Sequence, residues 1–380
     1  MLQVGIAKDS TEWNDIVDKS PFSVLFHRYE LQGFMKGALP LIIKEDKHCF
    51  LFPLSIRRLF KNLGLAVSPI YDYASILPDS EEALDLIPEA LDHVVDFLHE
   101  MNIEYLSTCA PTFCPKAYTT LVNSWFSERK ASVQVMYADM MRTKNTTFED
   151  IWKRRFNKNA RYKVRKAKRE GIDIIRIDTK DEIHTWIEDI HQCNLSALER
   201  QGRTGAYPDS HKEVYLSELI STKMRLGKFF NIYGAVYGNR LIAYMIVHEY
   251  NRLMELTKAM SHTAFLKKCP NDALIAYILR EACERGFDLF EYGLDRVSRR
   301  GKMPSLHPEL QMFRSKFGFE EIPIFIYRLG LNQAGRMIQR LFYIREYAII
   351  GSGFVPEAIR GFWRRLYEPK RRQVSSFLTG

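Results

Sequence analysis

The 380-residue chain lacks most of the features that would assign it to a special class. It has six cysteines, Cys49, Cys109, Cys114, Cys193, Cys269 and Cys283, with no C-x-x-C pair and no histidine at zinc-ligand spacing. That excludes a zinc ribbon or a disulfide framework, and it predicts a reduced, cytoplasmic protein without a bound metal. No apolar run approaches the roughly 20 residues of a membrane span; stretches such as Leu241 to Val247 stop far short, so no transmembrane segment is expected. The first residues hold no basic stretch leading into an apolar one, so no secretory signal is expected either. Glycine and proline, at 20 and 15 residues, are too few and too scattered for collagen-like or low-complexity structure. With 46% apolar and 27% charged residues, what remains is an ordinary folded protein, whose length predicts about two domains.

What is present in excess is positive charge, and it is local. The formal net charge is +9, yet ten of the 55 basic residues and only one of the 46 acidic ones fall between 153 and 170. The rest of the chain holds 45 of each sign and is balanced. A uniformly basic protein is excluded; a neutral body with one cationic element takes its place.

Short β-rich runs alternate with amphipathic helices, once before about residue 148 and again after it. In the first half, 39–43, 49–56 and 104–108 read as strands and 81–101 as a helix closed by Asn102. In the second half, 147–170 reads as one helix stopped by Gly171, 172–177 as a strand, and 180–199 and 211–226 as helices. Strands follow at 229–237 and 241–250, joined by the hairpin pair Gly238-Asn239, and at 253–259. A helix over 272–285 has Asn271 as its expected N-cap and Gly286 as its stop; strands at 287–292 and 322–329 complete the series. This grammar predicts a mixed α/β (α+β) fold, built twice: a first domain over 1–148, a second over 149–330, and a helical, basic tail over 331–380, with Met337, Leu341 and Ile344 at helical spacing.

Three features can carry chemistry. Within the cationic element, Trp152, Phe156, Ala160, Val164 and Ala167 form one apolar stripe at 100° per residue, while Arg154, Lys158, Arg161, Arg165 and Lys168 share the adjoining arc. Like charges at i, i+4 repel, so the arc is either a solvated face or a contact for a polyanion. The loop 261–270 carries Lys267 and Lys268 into a helix N-terminus; the two lysines either cover the loop or help the helix end hold an anion. In 312–318, Phe313 and Phe317 are expected to face the core and to leave Arg314 and Lys316 pointing elsewhere, at the mouth of the sheet.

Four stretches together resemble the FemABX family of peptidoglycan-bridge aminoacyltransferases and the wider FemAB-like acyltransferases. Ser68-Pro69-Ile70-Tyr71-Asp72-Tyr73 is similar to the family's G-P-V-x-D-Y, with Ser for Gly. Arg161-Tyr162-Lys163-Val164-Arg165-Lys166-Ala167 through Gly171 is similar to R-x-x-V-R-K-A-x-x-x-G. Leu274 to Gly286 followed by Phe287 to Gly293 resembles the family's helix, glycine and strand, and Phe313 to Gly318 resembles F-K-x-x-F-G. Two departures stand out: the family's lysine is Arg314 here, a change of geometry as well as of hydrogen bonding, and the long helical arm of the tRNA-using members has no counterpart.

The resemblance implies two tandem GNAT-like domains, acceptor side first and donor side second. It also implies an enzyme that moves an acyl or aminoacyl group from an activated donor, acyl-CoA or aminoacyl-tRNA, to an amine. Peptidoglycan or another cell-surface polymer is the implied setting, with no tightly bound cofactor. Asp72 is then the candidate base or amine-orienting group and Arg314 the candidate contact for the carbonyl or the donor phosphate. Lys36, Tyr71 and Tyr73 are candidate acceptor contacts, and Arg161, Arg165, Lys267, Lys268 and Lys316 candidate contacts for a phosphate-bearing donor or acceptor. In acyl-CoA enzymes the position of Lys267 and Lys268 binds pyrophosphate, but the glycine-rich loop used there is missing. Partners left open are tRNA and peripheral contact with the inner membrane surface. The alternative is a non-catalytic protein that binds nucleic acid or an anionic surface through 153–170.

Overall fold

The computed structural model describes residues 2–32, 37–45, 47–59, 63–68, 74–111, 114–202, 211–295 and 308–351. Within them the chain divides into two units, the first formed by 2–137 with 322–351 and the second by 138–295 with 308–321.

The first unit is a mixed sheet with helices on it. Strands β1 (Gln3–Ile6), β2 (Ala38–Lys44), β3 (Cys49–Leu59) and β4 (Leu63–Val67) pair antiparallel in that order, with the short β5 (Leu77–Pro78) on β3. Strand β6 (Ile103–Pro111) then pairs parallel with β4. Helices α1 (Ser10–Lys19), α2 (Tyr29–Gln32), α3 (Ile87–Glu100) and α4 (Lys116–Glu128) belong to this unit. The apolar faces of α3 (Leu91, Val94, Leu98) and α4 (Val122, Phe126) pack on Phe50, Phe52 and Leu54 of β3. Asn102, at φ 52°, stops α3 in the left-handed conformation that asparagine tolerates.

Strand β7 (Ser132–Arg142) leaves the first unit and enters the second. There the sequence reading of a single helix over 147–170 is corrected: α5 (Phe148–Arg154) and α6 (Lys158–Arg169) are separate. The cause is local. Thr147 caps α5 through the Asp150 N–H at 3.1 Å, and Asn157, extended at ψ 173°, caps α6 through the Ala160 N–H at 2.9 Å. Strand β8 (Ile172–Ile177) follows, then α7 (Lys180–Arg200), started by a Thr179/Glu182 capping box, and α8 (Lys212–Leu226).

Strands β9 (Phe230–Tyr237) and β10 (Arg240–Tyr250) form the expected hairpin over Gly238 at φ 61°, and β11 (Leu253–Ser261) pairs antiparallel with β10. Helix α9 (Pro270–Glu284) crosses to β12 (Leu289–Asp295), which runs parallel to β11 from Leu253↔Leu289 to Glu255↔Glu291. Residues Leu274, Ile275, Ile278 and Leu279 of α9 pack on Tyr233, Met245, Val247 and Met254, and the buried Phe156, Ala160 and Ala167 join this core as the stripe predicted. Helix α10 (Pro308–Ser315) closes the unit.

Strand β13 (Glu320–Gly330) returns to the first unit, where it pairs antiparallel with β6, and α11 (Gln333–Gly351) follows it. Of the expected apolar stripe on α11, Leu341 packs on this core and Met337 is exposed; the buried contacts are Ile338 and Phe342, the latter stacked on Tyr105 at 5.6 Å. Among the described residues no helix is long and apolar enough to cross a membrane.

Buried His27 makes the first unit sensitive to acid. Its Nδ1 accepts the Val24 N–H and its Nε2–H donates to the Ser75 carbonyl, each at 3.0 Å, and burial lowers its pKa from 6.5 to about 4. The unfolded chain takes up this proton first, so the stabilisation is complete above pH 6.5 and is lost as pH falls toward 4, amounting to about 2 kcal/mol at pH 5. An NMR titration should find the His27 ring neutral down to about pH 5; a midpoint near 6.5 would contradict this.

Candidate active site

The segment Phe313-Arg314-Ser315-Lys316-Phe317-Gly318 organises the second unit. Phe317 is fully buried, Phe313 packs beside it with ring centroids 5.3 Å apart, and Phe317 meets Phe156 edge-on at 5.0 Å. The phenylalanines thus face the core as expected. The two cations do not point away from it: Arg314 and Lys316 are only 8% and 5% exposed.

A buried cation needs a counter-charge, and each of these has its own. The Arg314 guanidinium pairs through Nη1 with the Asp139 carboxylate of β7 and lies over the Tyr292 ring at 5.1 Å. Lys316 Nζ sits 2.5 Å from Asp272 in the first turn of α9 and 3.8 Å from the Phe313 ring centroid. Burial pushes the Lys316 ammonium down and the Asp272 carboxyl up, each opposed by the attraction of its partner; Lys163 adds to the pull on Asp272. Tyr292, in the middle of β12 and one residue past its last parallel pair with β11, feels Arg314, Asp272 and Asp139, and burial holds its phenol well above the usual range. Two ion pairs and a phenol therefore share one place where the parallel pairing of β11 and β12 ends and α9 begins; ligands in α/β sheets commonly bind beside such points.

The N-terminus of α9 differs from its expected form. The cap is Cys269, left-handed at φ 62°, rather than Asn271; Pro270 occupies the first position and has no N–H, while the Asp272 and Ala273 N–H groups donate to the Cys269 carbonyl. The positive helix end is complemented by Asp272, a carboxylate of the protein itself.

The remaining expected contacts are spread over this unit. Arg161 Nη1 lies 2.8–3.2 Å from the carbonyls of Phe156, Lys153 and Trp152, closing the C-terminus of α5. Arg165 is exposed, with its guanidinium 5.6 Å from the Trp152 ring centroid. Lys268 Nζ donates to Glu170 at 2.8 Å and lies 4.2 Å over the Tyr237 ring, whereas Lys267 is exposed. Lys158, Tyr162, Arg165 and Arg169 line one exposed side of α6, and among the described residues none of its three cations has a carboxylate partner. Lys36, Tyr71, Asp72 and Tyr73 lie outside the described residues. Asp139, Asp272 and Tyr292 were not anticipated; the one available signal was Asp139, a lone carboxylate among Met136, Ala138, Met140 and Met141. Among the described residues no His/Cys/Asp/Glu cluster is arranged to hold a metal ion.

Residues 154–297 match the family model of the acetyltransferase (GNAT) domain. The fold is similar to that of FemX, with a TM-score of 0.66 at 11% identity over 89% of this chain and 100% of that one. Residues 154–297 are thus the GNAT-like part of the chain. The structure of L-PGS from Bacillus licheniformis is also similar, with a TM-score of 0.53 at 11% identity over 89% of this chain and 98% of that one. So is the C-terminal domain of an Agrobacterium fabrum protein described as a lysylphosphatidylglycerol synthetase, at 0.55 and 13% over 92% and 98%. At these identities the likeness to solved structures is one of fold. No curated protein matches the chain in sequence. The F-R-S-K-F-G segment and β12 lie in the same unit as the matched GNAT domain.

Removing one partner of a buried pair strands the other charge, at about 3–5 kcal/mol. Lys316→Met should therefore destabilise the second unit by that amount in urea unfolding, and adding Asp272→Leu should recover most of it. A single variant that loses less than about 1 kcal/mol would contradict the pairing.

Proposed function

We propose that this chain is a FemAB-like GNAT transferase that moves an acyl or aminoacyl group from a phosphate-bearing activated donor to an amine acceptor. The observation that carries the reading is Arg314, a buried cation fixed by Asp139 over Tyr292 in the unit that matches the GNAT domain. Acyl transfer builds negative charge on the carbonyl oxygen as the amine attacks, and a cation held without freedom to reorganise is suited to meet it. The amine nitrogen forms its bond to the carbonyl carbon, the bond to the thiol or hydroxyl of the donor breaks, and the amine proton leaves through a base or with the departing group. Asp72 is assigned as the group that orients the amine or takes its proton, with Lys36, Tyr71 and Tyr73 as acceptor contacts.

The GNAT match favours acyl-CoA as the donor class, and the loop at 261–270, whose Lys268 is paired with Glu170 and whose Lys267 is exposed, is compatible with a phosphate held by few contacts. Aminoacyl-tRNA is the second donor class, supported by the fold shared with FemX and by the unpaired cations of α6. Peptidoglycan peptide and amine-bearing lipid or surface polymer are the acceptor classes in keeping with those fold neighbours. The cysteines are free thiols, which supports a cytoplasmic setting, with peripheral membrane contact where the acceptor is lipid-linked.

Ligand-dependent melting separates the donors. A donor that binds only the folded protein stabilises it by about 2.7 kcal/mol at a hundred times its Kd, so acyl-CoA should raise Tm by several degrees, and more than aminoacyl-tRNA does. Arg314→Ala should then lower turnover with that donor at least tenfold while the fold persists. No Tm shift with either donor, or unchanged turnover in the variant, would contradict the proposal.

A further inference from the structure

Arg314 has more donors than its partners use. A guanidinium carries five N–H groups in a planar fork. Nη1 is taken by Asp139, but Nε is buried with no hydrogen-bond partner, and Nη2 makes no hydrogen bond among the described residues. Leaving a buried charged donor unpaired is expensive, and here the unpaired groups are neighbours: Nε and Nη2 form one complete edge of the fork. The other groups around the guanidinium hold that edge still. Asp139 fixes the opposite side, and the Tyr292 ring lies under the plane at 5.1 Å. Gly293, which follows Tyr292, adopts φ 127°, a conformation open to glycine, and a Cβ there would sit 3.4 Å from Nη2. A side chain at 293 would stand against the unused edge, at the Nη2 end.

We infer that the Nε–Nη2 edge of Arg314 is a binding site for a two-oxygen anion, a carboxylate or a phosphate group, and that Asp139 is its positioning residue. Two parallel N–H···O bonds to such a group match the fork, a geometry that a lysine ammonium at this position does not offer. Because Asp139 already neutralises much of the arginine charge, a lone anion binds in the millimolar range, and selectivity rests on shape rather than on net charge. Placing that anion on a substrate rests on the transfer reading; the site itself does not.

The test uses the full chain labelled with 15N-arginine, with the Arg314 Nε–H resonance assigned by its absence in Arg314→Lys. Sodium acetate, inorganic phosphate and sodium chloride are titrated at constant ionic strength. The expected result is a saturable shift with acetate, phosphate or both, and none with chloride. Saturation by acetate alone identifies a carboxylate site, and by phosphate alone a phosphate site. Gly293→Ala should weaken binding at least tenfold. Asp139→Asn keeps an oxygen to accept from Nη1 but removes a negative charge, so it should tighten binding at least threefold; a merely structural carboxylate would give no tightening. The inference is overturned if all three salts cause the same non-saturating drift, or if Asp139→Asn binds no more tightly than the parent. The titration needs no turnover, so a chain that binds these anions at Arg314 yet transfers nothing would refute the transfer reading and leave the site standing.

Discussion

The second unit depends on one short ion pair, Lys316 to Asp272, made where water is excluded. Its cation belongs to the turn after α10 and its anion to the first turn of α9. The same residue reaches a third element through its backbone, because the Lys316 carbonyl accepts the Asn157 N–H at 2.9 Å, at the point where α6 starts. Gly318, at φ 76°, lets the chain turn against the Arg155 carbonyl, which a Cβ would meet at 2.8 Å. The break between α5 and α6, the start of α9 and the end of α10 are thus held by six consecutive residues. Burying a charge for this purpose is costly unless its partner is buried with it, and here both are.

The neighbouring pair, Arg314 to Asp139, has the same composition and a different consequence. Lys316 has a compact head whose contacts are its carboxylate and two aromatic rings. Arg314 is planar and forked, so one carboxylate occupies only part of it. The strand that supplies Asp139 and the strand that supplies Tyr292 fix the plane of the fork, and a glycine follows the tyrosine. Within one F-R-S-K-F-G segment, a lysine consumed by the fold stands two residues from an arginine left with donors to spare.

Much of this was legible in the sequence, and the rest was hidden for identifiable reasons. The stop residue Asn102, the Gly238 turn, the alternation of strands and the stripe of Phe156, Ala160 and Ala167 are local features, and the elements they announce are present. The break at Asn157 was missed because the apolar stripe keeps its phase across it, so periodicity reports one helix where a good N-cap makes two. Arg314 stood out through the motif it belongs to, but its counter-ion is 175 residues away on another strand, and no local pattern links them. Lys316 was expected to be free for a phosphate because spacing assigns it to a polar side; only packing shows that the polar side of this turn is buried against α9. Arg161 was likewise drawn to a ligand by its motif and is found closing the helix before it.

Of the two cations in one segment, Lys316 is held by the fold, and Arg314 is the one proposed to meet the reacting group. The most direct measurement is the transfer rate of the Lys316→Met/Asp272→Leu double variant beside that of Arg314→Ala, with the donor that binds the parent. The division predicts that the double variant, lacking both buried charges but keeping the packing, transfers within severalfold of the parent, while Arg314→Ala falls by at least tenfold. A double variant as inactive as Arg314→Ala at full stability would place Lys316 among the groups that touch substrate and contradict the division.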